Sequence, residues 1–255
     1  MGCDPGACPL DGGPAVTTLA VRMNGPSARH HGEATAPARP SVRRQRLELA
    51  VFLLLILPMF LPTFAGGAAH LSFTVIAVAT IVQDVGLTAL VLFFVWSTGE
   101  GFASLGWSRR KVGREVAIGV ALFVPMFVAI AVVVWLLRGA GLSSPASLPF
   151  VVDRSVLHVV LALVLALVVA CAEETIFRGY LLLRLRAITR STTAAVVIAA
   201  VLFASGHAYQ GSAGVVAVGG LGILFSLVYL WRGSLIAPIV MHFLQDAIGL
   251  IASRQ

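Results

Sequence analysis

Charged side chains are what this sequence has least of. Only 11% of its 255 residues are Asp, Glu, Lys or Arg, against 58% hydrophobic, where soluble chains carry roughly 25% charged residues. With a mean hydropathy of +0.96, 18 basic and 11 acidic side chains are too few to cover a water-soluble globule. A cytosolic enzyme is excluded, and lipid must solvate most of the chain. Cysteine is equally scarce. Cys3, Cys8 and Cys171 are too few and too scattered for a disulfide framework or a thiolate zinc site, so any metal would fall to His and carboxylate ligands. The net charge of +7 would suggest nucleic acid in a soluble protein. Here the basic residues form short clusters between long apolar runs, a pattern that reads as membrane topology and leaves no role for nucleic acid.

What is present is a succession of apolar runs. Residues 1–47 are rich in Gly, Pro, Ala and Arg and end in Val42-Arg43-Arg44-Gln45-Arg46; they read as a disordered basic tail, with Met23 inside it as an alternative start. Spans of the length a bilayer requires, about 20 residues, follow at Leu49–Gly66, Leu71–Trp96, Val116–Leu137, Ser155–Leu185, Thr192–Ala208, Ala213–Trp231 and Ser234–Ala252. The first is long for a signal peptide, whose apolar core is about 7 to 15 residues, and is expected to be a retained anchor. The expected fold is all-α, a polytopic membrane bundle of about seven helices, three of them within 48–140. Alternating the loops puts 14 Lys and Arg on one side and leaves Arg138, Arg154 and Arg254 on the other. The positive-inside rule then gives a cytoplasmic N-terminus.

Ionisable groups inside such spans are costly and face a cavity or a partner. The first half of the chain offers Asp84, and the second half His158, Glu173, Glu174, Arg178, His207, His242 and Asp246. Glu174 and Arg178 share a helical face and are expected to pair, which leaves Glu173, about 100° away, to find a partner elsewhere. The basic turn centred near Arg190 lies 17 residues after Glu173 and 17 before His207. In an antiparallel helix pair those two therefore lie at equal depth, about 25 Å. His242 and Asp246, i and i+4 on the last span, are expected at about 13 to 20 Å and to converge on the same pocket. A carboxylate and an imidazole can hold and deprotonate water, while a second imidazole and an acid can stabilise an oxyanion or bind a metal. His158 is expected to be a packing residue, and Asp84 to be satisfied by Thr or backbone groups nearby.

The ordered set Glu173-Glu174-x-x-x-Arg178, Phe203-x-x-x-His207 and His242-x-x-x-Asp246 resembles the CPBP family of CAAX prenyl proteases of the Ras-converting type and bacterial Abi-type relatives. The resemblance covers about 100 residues and implies an intramembrane endopeptidase domain over 150–253. It implies that Glu173 and His207 activate water, that His242 and Asp246 hold the oxyanion, and that Glu174 and Arg178 support them. Eukaryotic CAAX proteases typically carry Asn at the last position, where this chain has Asp246. Zinc held by Glu173, Glu174, His207 and His242 is expected as an alternative to a metal-free glutamate mechanism; the HExxH pattern of zinc proteases is absent. The expected partners are the lipid bilayer and a peptide or membrane-protein substrate, and the expected place is a bacterial inner membrane. Two other functions compete: a non-catalytic membrane protein, such as an immunity factor or chaperone, and a proton-coupled carrier, against which the lack of an internal repeat argues.

Overall fold

The computed structural model describes residues 40–65, 72–107, 111–143 and 155–252; most of the expected tail lies outside them. Among the described residues the fold is seven helices: α1 (Val42–Ala65), α2 (Phe73–Ser97), α3 (Val112–Gly139), α4 (Val156–Thr189), α5 (Thr192–Ser205), α6 (Gly211–Arg232) and α7 (Ile236–Ala252). Of these, α2, α3, α4 and the α6 region from Ala208 are long and apolar enough to cross a membrane, while α5 and α7 are shorter apolar helices. The protein is a polytopic helical membrane protein.

Helix starts follow the sequence closely. Ser72, Ser155 and Ser191 each accept a hydrogen bond from a backbone N–H three residues on, capping α2, α4 and α5. Between α4 and α5 the chain reverses through Arg190, whose φ of 57° breaks the helix before Ser191 restarts it. The start of α1 departs from expectation by reaching back to Val42, because the Ser41 hydroxyl accepts from Arg44 N–H and Arg44 pairs with Glu48 one turn later. The fifth span also departs: α5 ends at Ser205, not Ala208. A glycine at 206 and a short 3₁₀ turn at Ala208–Gln210 leave His207 in the break between helices.

Helix α4 is the hub. It packs against α2 and α7, and α5 folds back beside its C-terminal part. Its middle, Glu174–Leu181, winds as a π-helix whose eight residues are all buried. A stretch wound with i→i+5 bonds turns its side chains out of the ordinary α-helical sequence of faces. Onto it docks the loop after α2, where Leu105 is fully buried and Trp107 Nε1–H donates to Thr175 Oγ1 at 3.2 Å. The approach is close enough that a Cβ on Gly179 would lie 3.0 Å from the Leu105 carbonyl oxygen.

Beside the basic turns, Arg184 donates to both Glu100 oxygens at 3.1 and 2.7 Å and reaches Glu48 at 3.1 Å, fastening α4 to α1 and to the α2–α3 loop. Arg232 does the same for α6 and α3 through a two-pronged pair with Glu115. The Cys171 carbonyl accepts from Thr175 Oγ1, and His158 bonds Thr74 and meets the edge of the Phe73 ring.

The position of α7 depends on Gly119 of α3. A Cβ there would sit 2.8 Å from both the Ala237 carbonyl oxygen and the Val240 Cβ. Gly119→Val is therefore expected to push α7 away from α3 at a cost of about 1–3 kcal/mol, read as a lower Tm of the detergent-solubilised protein.

Candidate active site

The two adjacent glutamates have opposite surroundings. Glu174 is fully buried, and its Oε1 accepts from Arg178 Nη1 at 2.8 Å and from His242 Nδ1 at 2.9 Å. Because a carboxylate only accepts, both nitrogens carry hydrogen there. Glu173 has no such clamp. Its Oε2 is buried without a hydrogen-bond partner, and the nearest imidazole nitrogen, His242 Nε2, is 3.6 Å away. The same Nε2 lies 3.4 Å from Asp246 Oδ2. One imidazole thus stands among three carboxyl groups, and exposure rises across them from 0% at Glu174 through 20% at Glu173 to 30% at Asp246.

Aromatic rings shape the other wall. The Arg178 guanidinium lies 4.4 Å above the Phe203 ring and 5.2 Å from that of Phe225, a placement that stabilises a desolvated cation. Phe225 stacks on His242, and Phe203 meets His207 at 4.9 Å and the edge of His242 at 6.1 Å. His207 Nδ1 is 2.9 Å from the Phe203 carbonyl oxygen. A carbonyl cannot donate, so Nδ1 carries the hydrogen and the neutral ring keeps its lone pair on Nε2.

All six expected residues fall in this region, with one change of partners. No hydrogen bond or ion pair joins Glu173 to His207 among the described residues; the imidazole facing Glu173 is that of His242. The counting from Arg190 assumed two regular helices, whereas a π-helix follows Glu173 and α5 ends before His207. Two aromatic residues emerge that spacing did not single out. Phe203 was visible only as the residue one turn before His207, and Phe225 carries no signal in the sequence at all. Asp84, expected to find a nearby Thr, does not: its Oδ2 and the Thr88 Oγ1 one turn on are both buried without a hydrogen-bond partner.

The zinc expectation can be tested on the donors. Among the described residues no three His, Cys, Asp or Glu side chains come together as a metal-ligating group. His242 Nδ1 and His207 Nδ1 are both turned to oxygen acceptors. Those bonds leave Nε2 of each ring uncommitted, as on a metal-ligating histidine, and no step below is routed through a metal.

Residues 155–248 match the family described as type II CAAX prenyl endopeptidase, Rce1-like. Over that stretch the chain is similar to the Rce1-like family. The matched stretch runs from the cap of α4 into α7 and contains the six site residues with Phe203 and Phe225, while α1 to α3 lie outside it. No curated protein and no solved structure matches the chain. The Rce1-like similarity speaks for a membrane-embedded protease of the CAAX type.

The different surroundings of the paired glutamates predict different mutants. Glu174→Ala leaves Arg178 buried and uncompensated, a loss of about 3–5 kcal/mol, and is expected to lower Tm sharply. Glu173→Ala removes an unpartnered carboxylate and is expected to leave Tm unchanged or higher.

Proposed function

We propose that the protein is an intramembrane endopeptidase in which Glu173 activates water to hydrolyse a peptide bond inside the bilayer. One observation carries this reading. Arg178 and His242 hold Glu174 on a single oxygen, while Glu173, next in sequence, keeps a buried oxygen with no hydrogen bond. A carboxylate left unsatisfied in an apolar span is costly, and packing alone gives no reason to keep it. A general base needs such a free oxygen.

In the proposed reaction Glu173 takes one proton from a water. The resulting hydroxide adds to the scissile carbonyl carbon. His207, through Nε2, shares in accepting the proton, which passes to the departing amine as the carbon–nitrogen bond breaks. His242, held through Nδ1 by Glu174, turns its Nε2–H from Asp246 to the developing oxyanion. Glu174 and Arg178 hold His242 in place and do not touch the substrate. The partners are a peptide or membrane-protein substrate and the lipid around it, with no prenyl group required. The basic clusters support a cytoplasmic N-terminus, and the family type supports a bacterial inner membrane.

The test is N-terminal profiling of membrane proteins from cells expressing the wild type, Glu173→Ala or His207→Ala, with and without a chelator. New N-termini made by the wild type are expected to fall about 10²-fold or more in either variant, with the fold intact, and to persist in chelator. A Glu173→Ala protein that still cleaves would overturn the reading, and loss of cleavage in chelator would turn it towards a metal.

A further inference from the structure

Seven acidic residues are described: Glu48, Asp84, Glu100, Glu115, Glu173, Glu174 and Asp246. Four of them, Glu48, Glu100, Glu115 and Glu174, are in ion pairs with arginine. The other three, Asp84, Glu173 and Asp246, have no arginine pair among the described residues. Two of these three are site residues already named, and Asp84 stands on a different helix, outside the Rce1-like segment.

Two contacts fix where Asp84 lies. Near one end of α2, Thr74 Oγ1 is 3.1 Å from His158 Nε2 on α4. Near the other, the Phe94 ring lies 6.1 Å from that of Tyr180. The helices therefore run side by side in the same direction. Asp84 is midway between Thr74 and Phe94 in sequence, and the matching midpoint of His158 and Tyr180 is Val169. Glu173 is one turn further along the same face of α4, about 6 Å. Asp84 also belongs to the buried stripe of α2, with Ala77, Leu87 and Val91. It is 7% exposed, its Oδ2 is buried without a hydrogen-bond partner, and it interacts electrostatically with Glu173, His242 and Asp246.

Two buried acceptor oxygens, Asp84 Oδ2 and Glu173 Oε2, thus flank one position, and neither finds a donor in the protein. A water has two hydrogens and satisfies both. We propose that Asp84 is a catalytic residue of the site, contributed by α2, which accepts one hydrogen of the attacking water while Glu173 removes the other. Held by both hydrogens, the water is left with its lone pair directed at the substrate. Asp84 takes no proton in this step; it fixes the direction of attack. The inference rests on the proteolytic reading only for the water's fate, and its geometry is open to test without activity.

The experiment is a thermal double-mutant cycle in detergent with Asp84→Asn, Glu173→Gln and the double variant, run beside N-terminal profiling of the same proteins. Asn is nearly isosteric with Asp and brings donors that Glu173 can use. Asp84→Asn is expected to raise Tm by about 2–4 °C, because it removes a buried acid whose oxygen has no donor, while cleavage falls about tenfold to a hundredfold. The two substitutions are expected to be non-additive in Tm, as neighbouring groups are. Additive Tm effects, a lower Tm in Asp84→Asn, or undiminished cleavage would each overturn the proposal. If the wild type itself cleaves nothing, the endopeptidase reading falls, and additivity of the cycle still decides whether Asp84 and Glu173 share a site.

Discussion

The fold turns on one carboxylate. Glu174 lies fully buried in a helix surrounded by lipid and other helices, where an isolated charge is untenable. It stays there because Arg178, one turn on, and His242, from α7, both donate to its Oε1. Much else follows from that junction. Arg178 must be equally dry, so Phe203 and Phe225 offer it their ring faces. His242 is bound through Nδ1, so its Nε2 can only face outward, towards Glu173 and Asp246. The same bonds that hold α4 to α7 therefore aim the imidazole of the site.

The rest of the bundle meets its charges in the same way but at a different place. Arg184 with Glu48 and Glu100, and Arg232 with Glu115, join helices near the basic turns. These pairs lie near helix ends, with acids from α1, α3 and the α2–α3 loop, and each is two-pronged or shared. Arginine's planar fork suits such geometry better than lysine's point charge, and the one lysine in the described residues, Lys111, takes no part. Glu174 alone belongs both to the acids that hold the bundle and to those of the site, since Arg178 answers it as arginines answer the acids near the turns while it also holds His242 of the site.

Much of this was legible in the sequence because so few ionisable residues interrupt the apolar runs. The spans, the Glu174–Arg178 pair, the juxtaposition of His242 with Asp246 and the helix-capping serines follow from periodicity and spacing within single segments. What was hidden depends on two segments at once or on helix winding. The π-helix at Glu174–Leu181 leaves no mark in hydrophobic period, because all eight residues are buried. It lies between Glu173 and the Arg190 turn, so the residue count from that turn does not follow ordinary α-helical rise. Asp84 was misread for the same reason: its surroundings come from α4, nearly ninety positions away, and no local rule reports them. Phe225 is one aromatic residue among many until Arg178 and His242 are seen against it.

The clamp on Glu174 also has a place in time. Helices of a membrane protein are made in order, and His242 is synthesised 68 residues after Glu174. Until it arrives, Glu174 has only Arg178, and Glu173 has no imidazole from α7 beside it. The cluster around His242 is therefore assembled only when α7 docks against α4, and the bond that fastens the two helices is the one that completes it.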